Sequence, residues 1–279
     1  MKRACVIGWP IEHSRSPLIH NYWLKLCGID GVYTKKAVPP EDVSTFLRSL
    51  ASHGLVGCNV TVPHKEAALA AADETEASAR AVGAANTLWL VEDKLCAANT
   101  DTYGYMTYLN LCVPAWKTRD KPVCILGAGG AARAIAHGFL EAGVEEIRVF
   151  NRTRARAEAL ARQFGARVKA HDWEERTSKA RDAAVLVNTT TIGLNGMGSL
   201  EIDLTGFDPD CVVSDIVYVP LETELLAQAK ARGLRTVDGL GMLLHQAVPG
   251  FEKWFGVRPE VTQELRDRLI ADITGSKSC

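Results

Sequence analysis

Val123-Cys124-Ile125-Leu126-Gly127-Ala128-Gly129-Gly130-Ala131-Ala132-Arg133-Ala134 decides the fold. Four apolar residues of strand length run straight into a glycine turn, and the turn opens a stretch of good helix formers. Gly127, Gly129 and Ala132 fit the pattern Gly-x-Gly-x-x-Gly/Ala. In such a turn the first glycine permits the tight bend and the second lets backbone approach a pyrophosphate. The small third residue lets the helix pack on the strand. Amides at a helix N-terminus bind anions, so Gly127, Ala128, Gly129, Gly130 and Ala131 are the expected phosphate-side residues. A purely structural turn carries the same glycines. The preceding strand, the following helix and a second strand ending near Phe150 favour a dinucleotide site.

The end of that second strand is more selective. An NAD site places Asp or Glu about 20 residues past the glycines to bond the ribose 2′-hydroxyl. This chain reads Asn151-Arg152-Thr153-Arg154-Ala155-Arg156 instead. A carboxylate would repel a 2′-phosphate, whereas a guanidinium pairs with it bidentately. At about 1.5–3 kcal/mol per charged hydrogen bond, one arginine gives a preference of roughly ten- to a hundredfold. NADP is therefore the expected cofactor, with Asn151, Arg152, Thr153 and Arg156 on its phosphate and at least one of the three arginines on a solvated helix face.

Outward from the turn, strands alternate with helical stretches: strands at 147–150, 184–188, 211–215 and 235–237, helices to 142 and over 154–164 and 221–232. That order implies a parallel sheet covered on both faces, a Rossmann-like doubly wound domain at 105–239. A polar, proline-bounded linker at 113–122 precedes it. The N-terminal part is a second α/β domain, 1–104, completed by C-terminal helices within 240–279. There, strands are expected at 4–8, 33–38 and 56–62, with a helix at 17–27 capped by Ser16. Further helices are expected at 39–53 and 63–72, and a hairpin turns at Glu92-Asp93.

Composition narrows the function classes. With 279 residues, 47% of them hydrophobic, the chain is an ordinary soluble protein of one or two domains. Lys+Arg 32 against Asp+Glu 33 excludes a general basic surface, so no nucleic-acid partner is expected. No apolar stretch reaches the ~18 residues of a membrane span, and no membrane partner is expected. The eight cysteines form no Cys-x-x-Cys pair and mostly lie in apolar runs, which reads as buried free thiols in a reducing cytoplasm. His13, His20, His64 and His245 have no ligand spacing, so no metal is expected.

Three N-terminal segments are polar where core would be expected. Gly8-Trp9-Pro10-Ile11-Glu12-His13-Ser14-Arg15-Ser16-Pro17 offers two alternate hydroxyls, either helix caps or donors to a small anion. In Asn59-Val60-Thr61-Val62-Pro63-His64-Lys65, an extended strand would point Asn59 and Thr61 to one side. Asn86-Thr87 and Asn99-Thr100-Asp101 lie at the outer ends of the hairpin. Spacing alone leaves Lys65 and Asp101 readable as a catalytic pair or as solvated charges.

Over nearly its whole length the chain resembles the shikimate/quinate dehydrogenase family. Those three segments carry the resemblance, together with Gly83-Ala84-Ala85-Asn86-Thr87, the glycine turn, Asn151-Arg152-Thr153, Asp215-Ile216-Val217-Tyr218-Val219-Pro220-Leu221 and Asp238-Gly239-Leu240-Gly241-Met242-Leu243-Leu244-His245-Gln246. The resemblance implies reversible, NADP-dependent reduction of 3-dehydroshikimate to shikimate in aromatic amino-acid biosynthesis. It implies that Ser14, Ser16 and Tyr218 hold the substrate carboxylate, that Thr61, Lys65, Asn86, Asp101 and Gln246 surround its ring hydroxyls, and that Asn59 is a further substrate-binding residue. Lys65 and Asp101 are the implied catalytic pair, and Ile216 and Gly239 lie towards the nicotinamide. The residue chemistry agrees, because hydride transfer to a ketone needs a proton donor for the developing alkoxide. Lysine serves if desolvation brings its pKa down from ~10.4. Ala97 stands where the family usually has glycine, and Thr102 where a small residue is more usual.

Two rivals stay open at this point. A quinate/shikimate dehydrogenase using NAD tends to carry Thr or Gly at one loop serine, and Ser14-Arg15-Ser16 argues against it. A non-catalytic ligand-binding homologue has no need of Lys65 and Asp101. The expected partner is the small-molecule substrate alone, in a monomer or homodimer.

Overall fold

The computed structural model describes residues 1–117 and 121–275. Thr118, Arg119 and Asp120 of the expected linker, and Cys279, lie outside the described residues. The chain divides into two compact units, Met1–Thr102 with Leu244–Asp272, and Tyr103–Leu243.

The first unit contains β1 (Lys2–Gly8), α1 (Ser16–Leu26), β2 (Gly31–Ala37), α2 (Val43–Arg48), β3 (Gly57–Val60), α3 (Lys65–Ala71), β4 (Glu74–Thr75), α4 (Ala77–Val82), β5 (Thr87–Val91) and β6 (Lys94–Ala98). Helix α5 (Asp101–Cys112) opens at its boundary. The strands form one sheet in the order β2-β1-β3-β5-β6-β4. β1 is parallel to β2 and β3, whereas β5 runs antiparallel to β3 and β6. The hairpin turns on Glu92 and Asp93, both with positive φ as a two-residue primed turn requires.

In the second unit, β7 (Val123–Leu126), α6 (Gly130–Glu141), β8 (Ile147–Asn151), α7 (Arg154–Phe164), β9 (Val168–Asp172), β10 (Val185–Asn188), β11 (Val212–Asp215), α8 (Glu224–Ala231) and β12 (Arg235–Val237) precede α9 (Gly239–Phe255). The last helix, α10 (Gln263–Thr274), follows. The six strands are all parallel, in the order β12-β11-β10-β7-β8-β9. Val123 and Ile125 enter one core cluster while Cys124 and Leu126 enter another. Side chains alternate across a strand, so this sheet is covered on both faces, as its continuous apolar strands predict.

Several local expectations are corrected. Arg15, not Ser16, is the N-cap of α1, and no side chain caps that end; Ser16 is already helical, with Pro17 in the first turn. The expected helix at 39–53 is broken into a 3₁₀ turn at Pro40–Asp42, the short α2 and a second turn at Ala51–His53. β3 stops at Val60, so Thr61 lies beyond the strand, and the Val62–Pro63 peptide is cis. Pro63 therefore precedes α3, which begins at Lys65. Cys27 and Cys112 are exposed, unlike the other described cysteines. Sequence reading passes over β4, α4, β9 and α5, and α5 spreads its apolar residues around all sides.

Candidate functional site

Parallel pairing of β1 with β3 brings both C-terminal ends to one edge of the first sheet. The serine loop leaves from β1 at that edge, and the Thr61-to-Lys65 segment leaves from β3. Trp9 N–H donates to the Val62 carbonyl at 3.1 Å and ties the two segments together. Antiparallel pairing sets Thr87 opposite Asn59 and Ala98 opposite Thr87, so Asn86 and the Asn99-Thr100-Asp101 turn arrive at the same edge.

Lys65 and Asp101 each stand at the first position of a helix, α3 and α5. Lys65 Nζ donates to Asp101 Oδ2 at 2.5 Å, with side-chain exposures of 22% and 8%. Asn86 Nδ2 donates to the other carboxylate oxygen at 2.8 Å, and the Asp101 N–H donates to Asn99 Oδ1. Asn86 is fixed in turn by the Thr100 N–H, which donates to its Oδ1 at 2.8 Å. Gln246 joins this group: its side-chain oxygen accepts from Asn86 at 3.4 Å and its carbonyl from the Thr100 hydroxyl at 2.8 Å. All of these groups belong to the first unit.

Asn59 sits beneath them, 5% exposed. Its Nδ2 donates to the Asn86 carbonyl and to Thr87 Oγ1, both at 3.1 Å, while its Oδ1 accepts from the Tyr33 hydroxyl at 2.6 Å. Both amide hydrogens have partners inside the protein, and one of them braces the Asn86 backbone. Ser14 and Ser16 lie together, the first hydroxyl donating to the second at 3.3 Å. Thr61 packs its methyl against Gly8, where a Cβ would come within 2.6 Å of it.

In the second unit Gly127 has φ +106°, and a Cβ there would meet Thr189 Oγ1 at 2.6 Å. A Cβ on Gly129 or Gly130 would meet open space, and no side chain caps α6. The first amides of that helix are left for an anion, and the bare turn gives the close approach a pyrophosphate requires. Ala132, the small third residue, is fully buried. A phosphorylated dinucleotide fits this cradle.

At the end of β8, Asn151 Nδ2 donates to the Thr153 carbonyl at 2.8 Å. Arg154 pairs with Asp172 at 2.6 Å and with Glu158 at 3.0 Å. Arg152 and Arg156 are exposed and make no ion pair among the described residues. Arg154 is thus the arginine spent on the helix surface, and two guanidiniums remain for a phosphate. Gly239 opens α9 where a Cβ would lie 2.3 Å from the Ile216 carbonyl oxygen, so only glycine fits beside that backbone. Tyr218 follows Ile216 in the same turn of the second unit. No group of three or more His, Cys, Asp or Glu among the described residues is arranged to hold a metal.

Comparison with known proteins places this arrangement. Residues 6–88 match the family model of the shikimate dehydrogenase substrate-binding domain, 113–195 that of shikimate/quinate 5-dehydrogenase, and 239–264 that of the shikimate 5′-dehydrogenase C-terminal domain. The shikimate dehydrogenase (NADP(+)) of Brucella abortus strain S19 is 54% identical over 98% of this chain and 95% of its own. The chain belongs to the shikimate dehydrogenase family.

Among solved structures, the shikimate 5-dehydrogenase of Thermus thermophilus in complex with NADP(H) and shikimate superposes with a TM-score of 0.87. It is 37% identical, covering 98% of this chain and 100% of that one. The quinate dehydrogenase of Corynebacterium glutamicum in complex with NAD superposes at 0.88 but is 29% identical, covering 97% and 99%. The second unit is therefore the Rossmann-like half of a shikimate dehydrogenase family fold. Sequence reading missed Tyr33, Thr189 and Asp215. Asp215 alone had a visible signal, an acid closing an apolar strand.

Proposed function

We propose that Lys65 and Asp101 perform the proton chemistry of an NADP-dependent, reversible reduction of 3-dehydroshikimate to shikimate, a step of aromatic amino-acid biosynthesis. The observation that carries this reading is their 2.5 Å pair, held by Asn86 and bordered by Gln246. NADP, when bound, supplies or accepts the hydride. In reduction, negative charge develops on the ketone oxygen and the Lys65 ammonium gives it a proton. In oxidation the neutral Lys65 amine takes the hydroxyl proton. Lys65 keeps 22% of its side chain exposed, so the proton exchanges with water. Asp101 spends one oxygen on Lys65 and the other on Asn86, which fixes the direction in which Lys65 points.

Ser14, Ser16 and Tyr218 take the substrate carboxylate, and Thr61, Asn86 and Gln246 take ring hydroxyls. Asn59 departs from the role its motif implied: we assign it to positioning Asn86. The amides at 127–131 take the pyrophosphate; Asn151, Arg152, Thr153 and Arg156 take the 2′-phosphate; Ile216 and Gly239 border the nicotinamide. No helix among the described residues is long and apolar enough to cross a membrane. Cys5 and Cys211 are buried free thiols, which supports a reducing cytoplasm. The Lys65→Ala variant tests the assignment. Its kcat should fall by about 10²–10⁴, the usual weight of one acid–base group, while shikimate still binds in calorimetry. Wild-type kcat in Lys65→Ala removes Lys65 from the mechanism.

A further inference from the structure

Asp215 closes β11 with its side chain 1% exposed. Among the described residues no Lys, Arg or His pairs with it. Instead three donors converge on the carboxylate. The Val217 N–H donates to Oδ1 at 3.0 Å, Asn188 Nδ2 to the same oxygen at 2.9 Å, and the Thr223 hydroxyl to Oδ2 at 2.8 Å. These donors come from the next strand, from the turn 216–220 and from the N-cap of α8. The Ile216 N–H donates to the Asn188 carbonyl at 3.1 Å, so both ends of the arrangement bear on the turn that carries Ile216 and Tyr218.

A neutral Asn at this position would cost less to bury, since a buried unpaired carboxylate is expensive, but it offers one acceptor oxygen where Asp215 offers two. What the charge adds is acceptor strength on both oxygens at once. We propose that the Asp215 carboxylate is a positioning residue of the reaction: by gripping Val217, Asn188 and Thr223 it fixes the turn that presents Ile216 to the cofactor and Tyr218 to the substrate. The proposal rests on the functional reading of that turn given above.

Burial pushes the Asp215 carboxyl up to about 6. Of the bases on adjoining elements, Lys230 of α8 pairs with Glu222 at 2.6 Å, and Arg235 of β12 stands opposite Val212, at the far end of β11 from Asp215. Glu201 and Glu224 line the same small cavity and are exposed. Asp238 follows β12 and accepts from the Tyr108 hydroxyl and the Leu240 N–H. None supplies the cation that would hold Asp215 ionised at lower pH.

The experiment compares wild type with Asp215→Asn, which keeps the shape, removes the charge and replaces one acceptor oxygen with an amide donor. At about pH 8 the KM for shikimate should rise about tenfold in D215N, the size of one weakened hydrogen bond to a charged group. Its kcat should stay within about threefold. As pH falls towards about 5, the wild-type KM should climb to the D215N value while that of D215N stays level. Equal KM values at about pH 8, or the same pH step in both proteins, overturn the proposal. So does a D215N that fails to fold, because the charge then serves stability. Amide hydrogen exchange over 216–218 reads the turn without substrate: faster exchange in D215N supports the role, and unchanged exchange refutes it. A wild type inactive on shikimate would sink the functional reading alone, leaving the exchange result to decide the part played by Asp215.

Discussion

Arg152, Arg154 and Arg156 stand within five residues of one another and have different environments. Arg154 is consumed by Asp172 and Glu158, and the other two are exposed with no ion pair among the described residues. Arg152→Gln and Arg156→Gln together should raise the KM for NADP+ by about ten- to a hundredfold and leave that for NAD+ within about twofold. Arg154→Gln should change neither by more than about twofold. Steady-state rates with each cofactor check this, and equal losses with NAD+ would show that the pair does not read the phosphate. The lack of a carboxylate at this strand end was legible in the sequence, and a carboxylate there would repel a 2′-phosphate. Which arginine is free was not legible, because Asp172 lies on a strand, β9, that carries no clear pattern. Asn59 is the converse case. Its motif was legible, but its partners Tyr33 and Thr87 come from strands that only the fold brings together.

At the scale of elements, the β7–α6 turn was readable because its demands fall on backbone, and backbone demands select residue types directly. Gly127→Ala would put a side chain at φ +106° and against Thr189, so it should destabilise the protein by roughly 1–3 kcal/mol in urea unfolding. The turn after β11 was not readable in that way, because its anchor is a buried acid whose three donors are scattered along the chain. Asp215 also leaves a signature in stability. Its folded pKa, about 6, is raised above the ordinary 3.8 by burial. A raised folded pKa contributes stability that is whole below the unfolded value and is lost as pH rises through the folded one. Between about pH 4 and pH 8, D215N should therefore gain about 1–3 kcal/mol on wild type, levelling off above about pH 6. Parallel denaturant titrations at several pH values check it, and a gap that narrows with rising pH would reverse the assigned sign. Helix α5 escaped sequence reading because its apolar residues face every side, yet its first residue is Asp101.

At the scale of the whole molecule, the chain holds two sheets of different construction. The all-parallel one was legible from its continuous apolar strands, and the mixed one only in part, because prolines and short turns interrupt it at 39–63. Each sheet gathers its candidate site at strand ends, the Lys65–Asp101 pair in the first unit and the glycine turn in the second. Saturating NADP+ should stabilise the protein by about 2.7 kcal/mol at a hundred times its Kd. That gain should shrink in the double arginine variant, as thermal unfolding with and without cofactor would show. The most direct test of the account is kcat/KM measured in the four combinations of shikimate or quinate with NADP+ or NAD+. Shikimate with NADP+ should exceed each of the others by at least about tenfold. A preference for quinate or for NAD+ would contradict it.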